Sequence, residues 1–155
     1  MKLFATSILI ACMMLPCPSR SALAADDAIR VAAIYALSGP AASNQLNSLL
    51  GIRCGVKTVN AAGGVLGKRL DVIEIDNRST PIGSKQAAEK AVALDVAAII
   101  GSAWSSHTFA IAPVAQKAGI PMITNISTHP GITTIGDYVL SSRPVFSIGR
   151  WVRFT

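Results

Sequence analysis

Two short runs hold the residues best suited to gripping a small charged solute. In GSAWSSHT, residues 101–108, a glycine follows an apolar run and serines precede a stretch of helical spacing. A helix starting there presents N–H groups that have no intrahelical acceptor, together with the positive end of its dipole. Ser105 and Ser106 place hydroxyl donors beside those amides. This is chemistry for a carboxylate: each hydrogen bond to a charged group contributes about 1.5–3 kcal/mol, and the dipole adds roughly 0.3–1 kcal/mol. A serine can equally cap the helix, and a cap already faces the same way. In NISTHP, residues 125–130, a broken strand would expose backbone carbonyls and Thr128 offers a hydroxyl, a pairing that suits an ammonium group. The same residues also fit a plain turn, set up by Asn125 and closed by Pro130.

Other chemistry finds less support. Ser106 and His107 are neighbours in sequence, which points their side chains apart on a helix, and no Gly-x-Ser-x-Gly elbow exists. Two histidines and three cysteines show no zinc spacing. Gly63-Gly64-Val65-Leu66-Gly67 lies at a helix-to-strand junction, whereas a phosphate loop requires strand-to-helix. Asp71, Glu74 and Asp76 alternate, which marks the wet face or end of a strand more than a carboxylate pair. The expectation is a binding protein, not an enzyme, with no cofactor and no metal. The net charge of +6 includes Arg143, Arg150 and Arg153 near the end of the chain. No basic stripe interleaved with aromatics is present, so no nucleic-acid partner is expected.

The elements that must position these residues alternate in period. IRVAAIYAL, residues 29–37, is a nearly continuous apolar run suited to a strand buried on both faces. Ser38-Gly39-Pro40 ends it, and from about Gln45 a helical face follows in Leu46, Leu49, Ile52, Val56 and Val59. Gly63-Gly64 stops that helix. Residues 68–76 form the next strand, and Pro81 opens a helix with Lys85 and Glu89 on its wet side. Strands at 96–100 and 120–124 flank a helix at 109–118, in which Pro113 predicts a kink or a late start. Gly119 ends that helix, and residues 137–140 form a weak fifth strand. Lone Cys54 is expected to be a small core residue. The pattern predicts an α/β fold, a parallel sheet with helices on both faces. In such sheets ligands bind beyond the carboxyl ends of the strands. Loops 38–44, 101–106 and 125–130 therefore share one rim.

Met1-Lys2, an apolar run over residues 3–15, and Ala22-Leu23-Ala24 predict a secretory signal peptide over residues 1–24 and a periplasmic location. The run is too short for a bilayer span, which takes about 20 residues. Leu9-Ile10-Ala11-Cys12 offers lipidation as an alternative, with very little apolar sequence before it.

Several stretches resemble the leucine/isoleucine/valine-type periplasmic binding proteins of ABC importers. They are IRVAAIYALSGP, VNAAGGVLG, IEIDNRSTP, IIGSAWSSHT and APVAQKAGIPMITNISTHP, in the family's order and spacing. The resemblance implies a two-lobed, hinged receptor that closes on an amino acid or similar polar solute and docks on a membrane permease. It implies that Ser105 meets the ligand's carboxylate. It further implies that the Ile126 carbonyl meets the ligand and that Thr128 binds its polar head. Trp104 departs from a cysteine of the family pattern, and Asn44 from an aromatic. The resemblance assigns residues 25–143 to the N-terminal lobe. Residues 144–155 do not resemble the family and are expected to reflect truncation or a frameshift. Weak binding by this chain alone is the corresponding expectation. The alternative is a secreted single-domain α/β sensory or regulatory protein, and further behind it a small hydrolase using Ser106.

Overall fold

The first apolar run forms β1 (Ile29–Tyr35), fully covered from Ala32 to Tyr35. It leads to α1 (Ala42–Ala61), β2 (Leu70–Asp76), α2 (Pro81–Ala93), β3 (Ala98–Gly101), α3 (Ser105–Ala118), β4 (Met122–Thr124) and β5 (Val139–Ser141). These come from a computed structural model that describes residues 28–142. The leader at 1–24 and the tail at 144–155 lie outside the described residues. The five strands are all parallel, in the order β2-β1-β3-β4-β5. The chain thus leaves β1 toward one edge and β3 toward the other. Right-handed crossovers then place α1 on one face and α2 with α3 on the opposite face.

Side-chain burial follows that division. Ala32, Ile34, Ile99 and Met122 point from the sheet into a core closed by Ala87, Ala88 and Ala91 of α2 and Ile111, Ala112 and Ala115 of α3. Alanine at the helix contacts allows close approach to the sheet. The opposite face is smaller: Ala33 and Tyr35 pack with Leu49, Ala103 and Ile126. Strand register aligns Ile100, Ile123 and Leu140 on that face, and Ile123 and Leu140 remain exposed.

Local signals set most element ends. Thr80 caps α2 by accepting from the Gly83 amide at 2.9 Å, with Pro81 following in the first turn. Gly119 adopts a left-handed conformation at the end of α3. Lys85 and Glu89 stand 3.9 Å apart on the exposed side of α2, a contact worth little.

Three expectations are corrected. The inward face of α1 is led by Gln45, not Leu46, which is 49% exposed. Gln45 goes inward because its Oε1 accepts from the Ala36 amide at 2.9 Å, serving the backbone just past β1. That phase also leaves Cys54 on the exposed side of α1, outside the core. Finally, α3 begins at Ser105 and runs through Pro113, which is exposed. Water can there serve the carbonyl that proline leaves without a donor.

Ile99→Ala is expected to cost about 2–5 kcal/mol in urea denaturation, because Ile99 is fully enclosed between the sheet and two helices. Leu46→Ala should cost under about 0.5 kcal/mol.

Candidate functional site

The carboxyl ends of β1, β2, β3 and β4 open on one rim, and buried polar groups connect the loops that leave them. After β3, the Ser102 carbonyl is the common acceptor. The Ser127 and Thr124 hydroxyls reach it at 2.8 and 2.9 Å, and Thr108 at 3.2 Å. Thr108 Oγ1 also lies 2.6 Å from Ser127 Oγ. One carbonyl thus gathers side chains from α3, β4 and the loop after β4, all buried. Gly101, just before it, is required by the close pairing of β3 with β1. Its φ is +136°, and a Cβ there would collide with the Ile34 carbonyl oxygen.

Of the residues singled out in sequence, Ser105 and Ser106 occupy the first turn of α3, half-buried and exposed respectively. Neither caps the helix. Trp104 holds the N-cap position and makes no side-chain cap bond, so no side chain accepts from the Ser105 and Ser106 amides, while the His107 amide bonds to the Trp104 carbonyl. Ile126 is half-buried in the smaller core, and Thr128 is exposed. These two flank Ser127, the residue that joins Thr108 and the Ser102 carbonyl. The structure therefore brings the serine pair and the Ile126–Thr128 pair to neighbouring strand ends. Tyr35 adds a third tie, donating its hydroxyl to Asn125 Oδ1 at 2.7 Å. Burial pushes the Tyr35 hydroxyl well above its ordinary pKa, against the opposing effect of that bond, so it stays protonated as the donor.

The loop after β2 contributes residues that sequence reasoning passed over. Asp76 accepts from the Leu37 and Ser38 amides at 2.9 and 3.2 Å, from the Ser38 hydroxyl, and from the Arg78 amide at 2.8 Å. Burial alone would raise its pKa; these hydrogen bonds outweigh it and hold the carboxyl below its usual value. Ser79 donates to the Ser38 carbonyl at 2.7 Å and accepts from the Ala41 amide at 3.0 Å. Glu74 meets Arg53 of α1 through two contacts, at 2.6 and 2.7 Å. Glu74 and Asp76 thus tie β2 to α1 and to the loop after β1. Asn77, fully buried, accepts from the Ser79 amide at 2.9 Å and donates to His107 Nδ1 at 3.2 Å. His107 is buried, while Ser106 is exposed, so the adjacent pair does point apart. Only the short Asp-Asn-x-Ser spacing after a strand could have signalled this loop, through the tendency of such side chains to bond nearby backbone.

A shallow hollow of about 230 Å³ lies beside the loop after β1, with Leu37, Leu46, Leu49 and Arg53 among its lining. It includes none of Ser105, Ser106, Ile126 or Thr128. Asn44 is exposed in the first turn of α1. Among the described residues, no group of three or more His, Cys, Asp or Glu could hold a metal ion, and no helix is long and apolar enough to cross a membrane.

The sequence matches the periplasmic binding protein family over residues 28–150. It is 34% identical over 118 residues to the Leu/Ile/Val-binding protein of Escherichia coli K12, covering 76% of this chain and 32% of that one. The fold is similar to the branched-chain amino acid transporter substrate-binding protein of Streptococcus pneumoniae in complex with isoleucine. The TM-score is 0.71 at 31% identity, over 74% of this chain and 33% of that one. It also resembles a solute-binding protein of an ABC transporter from Rhodopseudomonas palustris HaA2 in complex with p-hydroxybenzoic acid. There the TM-score is 0.65 at 26% identity, over 74% of this chain and 31% of that one. The chain spans about a third of the length of the curated relatives it matches.

Burial lowers the His107 pKa from its ordinary 6.5, with a backbone bond to Ser79 opposing. The unfolded chain therefore takes up a proton that the folded chain resists. Stability from this group is present above about pH 6.5 and is lost as pH falls through the depressed folded value. Thermal melts between pH 7.5 and 5 should show this fall, and His107→Gln should flatten it.

Proposed function

This chain belongs to the periplasmic binding protein family, and we propose that it carries the opening βα units of the first lobe of an ABC importer's solute receptor. The solute proposed is a branched-chain or related amino acid. One observation carries the assignment: the first turn of α3 is left without a side-chain cap, beside Ser105 and Ser106, on the rim shared with residues 126–128. Amides and hydroxyls there suit a carboxylate. Isoleucine and p-hydroxybenzoic acid, the ligands of two of the similar structures, have that group in common. The Ile126 carbonyl and the Thr128 hydroxyl suit the ammonium of an amino acid.

The same reading assigns residues 1–24 to an export signal, residues 25–143 to the lobe, and a periplasmic location. The partner would be a membrane permease, met when this lobe is joined to a second. The described residues supply one wall of a binding cleft, whereas a small-molecule pocket encloses roughly 70–90% of its ligand. Micromolar affinity requires about 8 kcal/mol. Two or three charge-assisted bonds on an open face, less about 4 kcal/mol or more of association entropy, fall short of that.

Leucine titrated into the isotopically labelled chain should shift the backbone amides of Ser105, Ser106, Ile126 and Thr128, with a dissociation constant in the millimolar range or weaker. Shifts confined to other parts of the molecule, or none, would rule out the assignment. Micromolar binding in calorimetry would contradict the one-wall picture.

A further inference from the structure

A parallel sheet is normally covered on both faces, yet two strands here are covered on one face alone. In β4, Met122 and Thr124 are fully buried, whereas Ile123 between them is 37% exposed. In β5, Val139 and Ser141 are buried, whereas Leu140 between them is 51% exposed. Met122 and Val139 belong to the core under α2 and α3. Ile123 and Leu140 lie side by side on the opposite face, in register with Ile100 of β3. The core under α1 extends to Ile100, and no residue of β4 or β5 belongs to it. An apolar row thus crosses to the outer edge of the sheet, where β5 is the last strand.

The sequence that follows supplies an apolar segment beside that row. Only Ser142 and Arg143 separate residues 144–155, PVFSIGRWVRFT, from the end of β5. Val145, Ile148, Trp151 and Val152 recur at spacings of three and four, which suits one apolar side, with Arg150 and Arg153 away from it. The row spans two strand spacings, roughly 10 Å, and one segment of about helical width covers that distance. Charge agrees with a return across the face. A segment running back from the carboxyl end of β5 brings Arg150 and Arg153 toward exposed Asp137, which precedes the strand at its other end. The tether also favours this segment over any separate occupant: a link so short corresponds to an effective concentration of about millimolar.

We propose that residues 144–155 fold back over Ile100, Ile123 and Leu140 and form the missing layer on the α1 side of β4 and β5. The segment then shields the outer strand, whose open edge is otherwise a template for pairing with another chain. This inference concerns the face of the sheet and stands apart from the reading of the rim as a solute site.

The test uses the full chain carrying Trp104→Phe, in which Trp151 is the one tryptophan left. At low protein concentration its emission should be blue-shifted from that of free tryptophan and shielded from acrylamide. Leu140→Asp should abolish both effects while circular dichroism still reports a folded chain. Leu46→Asp, at a similarly exposed position on α1, should change neither. Magnetisation transfer from the Trp151 ring to the Ile123 and Leu140 methyl groups, in the labelled chain without those substitutions, gives the same answer should Leu140→Asp fail to fold. Emission at the position of free tryptophan, or no transfer to those methyl groups, would overturn the inference. Shielding that appears only as light scattering reports dimers would give the face to a second copy. Shielding that appears only with phosphatidylglycerol vesicles would give the segment to a lipid surface. Either result would also overturn it.

Discussion

A single buried carbonyl, that of Ser102, fixes the geometry of the rim. Hydroxyls of Thr124 and Ser127 approach it at 2.9 and 2.8 Å, and Thr108 stands close behind. A carbonyl has two lone pairs, so the two shorter bonds fill it, and the Thr108 hydroxyl can turn to Ser127 at 2.6 Å. In a low-dielectric interior such bonds strengthen one another, and a missing partner leaves a costly orphan. The start of α3 and the loop after β4 therefore cannot shift independently. Every property attributed to the rim depends on that constraint.

The second set of ties runs the other way across the sheet. Asp76 and Ser79 hold the loop after β1, while Asn77 reaches across to His107 on α3. The loops of four adjacent strands thus form one continuous polar seam beneath an open surface. Above it lie the Ser105 and Ser106 side of α3, Trp104 and the turn at Thr128. An assembly of this kind presents donors in fixed positions before any solute arrives, which reduces the entropy cost of binding.

The order of elements was legible because apolar runs and helical spacing alternate without ambiguity, and Gly63, Gly64, Pro81 and Gly119 mark the ends they should. The two rim runs were legible because strand ends in a parallel sheet must lie together. The phase of α1 was not. Hydropathy favoured Leu46 inward, but the unpaired Ala36 amide next to β1 required an acceptor, and Gln45 supplied it. Cys54 followed that rotation to the surface. The roles of Asp76, Asn77 and His107 were hidden for a related reason. They depend on partners up to 39 positions away, which periodicity does not encode.

The shared acceptor is tested most directly by a double-mutant cycle on Thr124→Val and Ser127→Ala, with stability read from urea denaturation. Each single change should cost about 1–3 kcal/mol. The pair should depart from additivity by at least about 0.5 kcal/mol, because both hydroxyls serve one carbonyl. Single costs near zero that add to within about 0.3 kcal/mol would show that the Ser102 carbonyl does not hold the rim together.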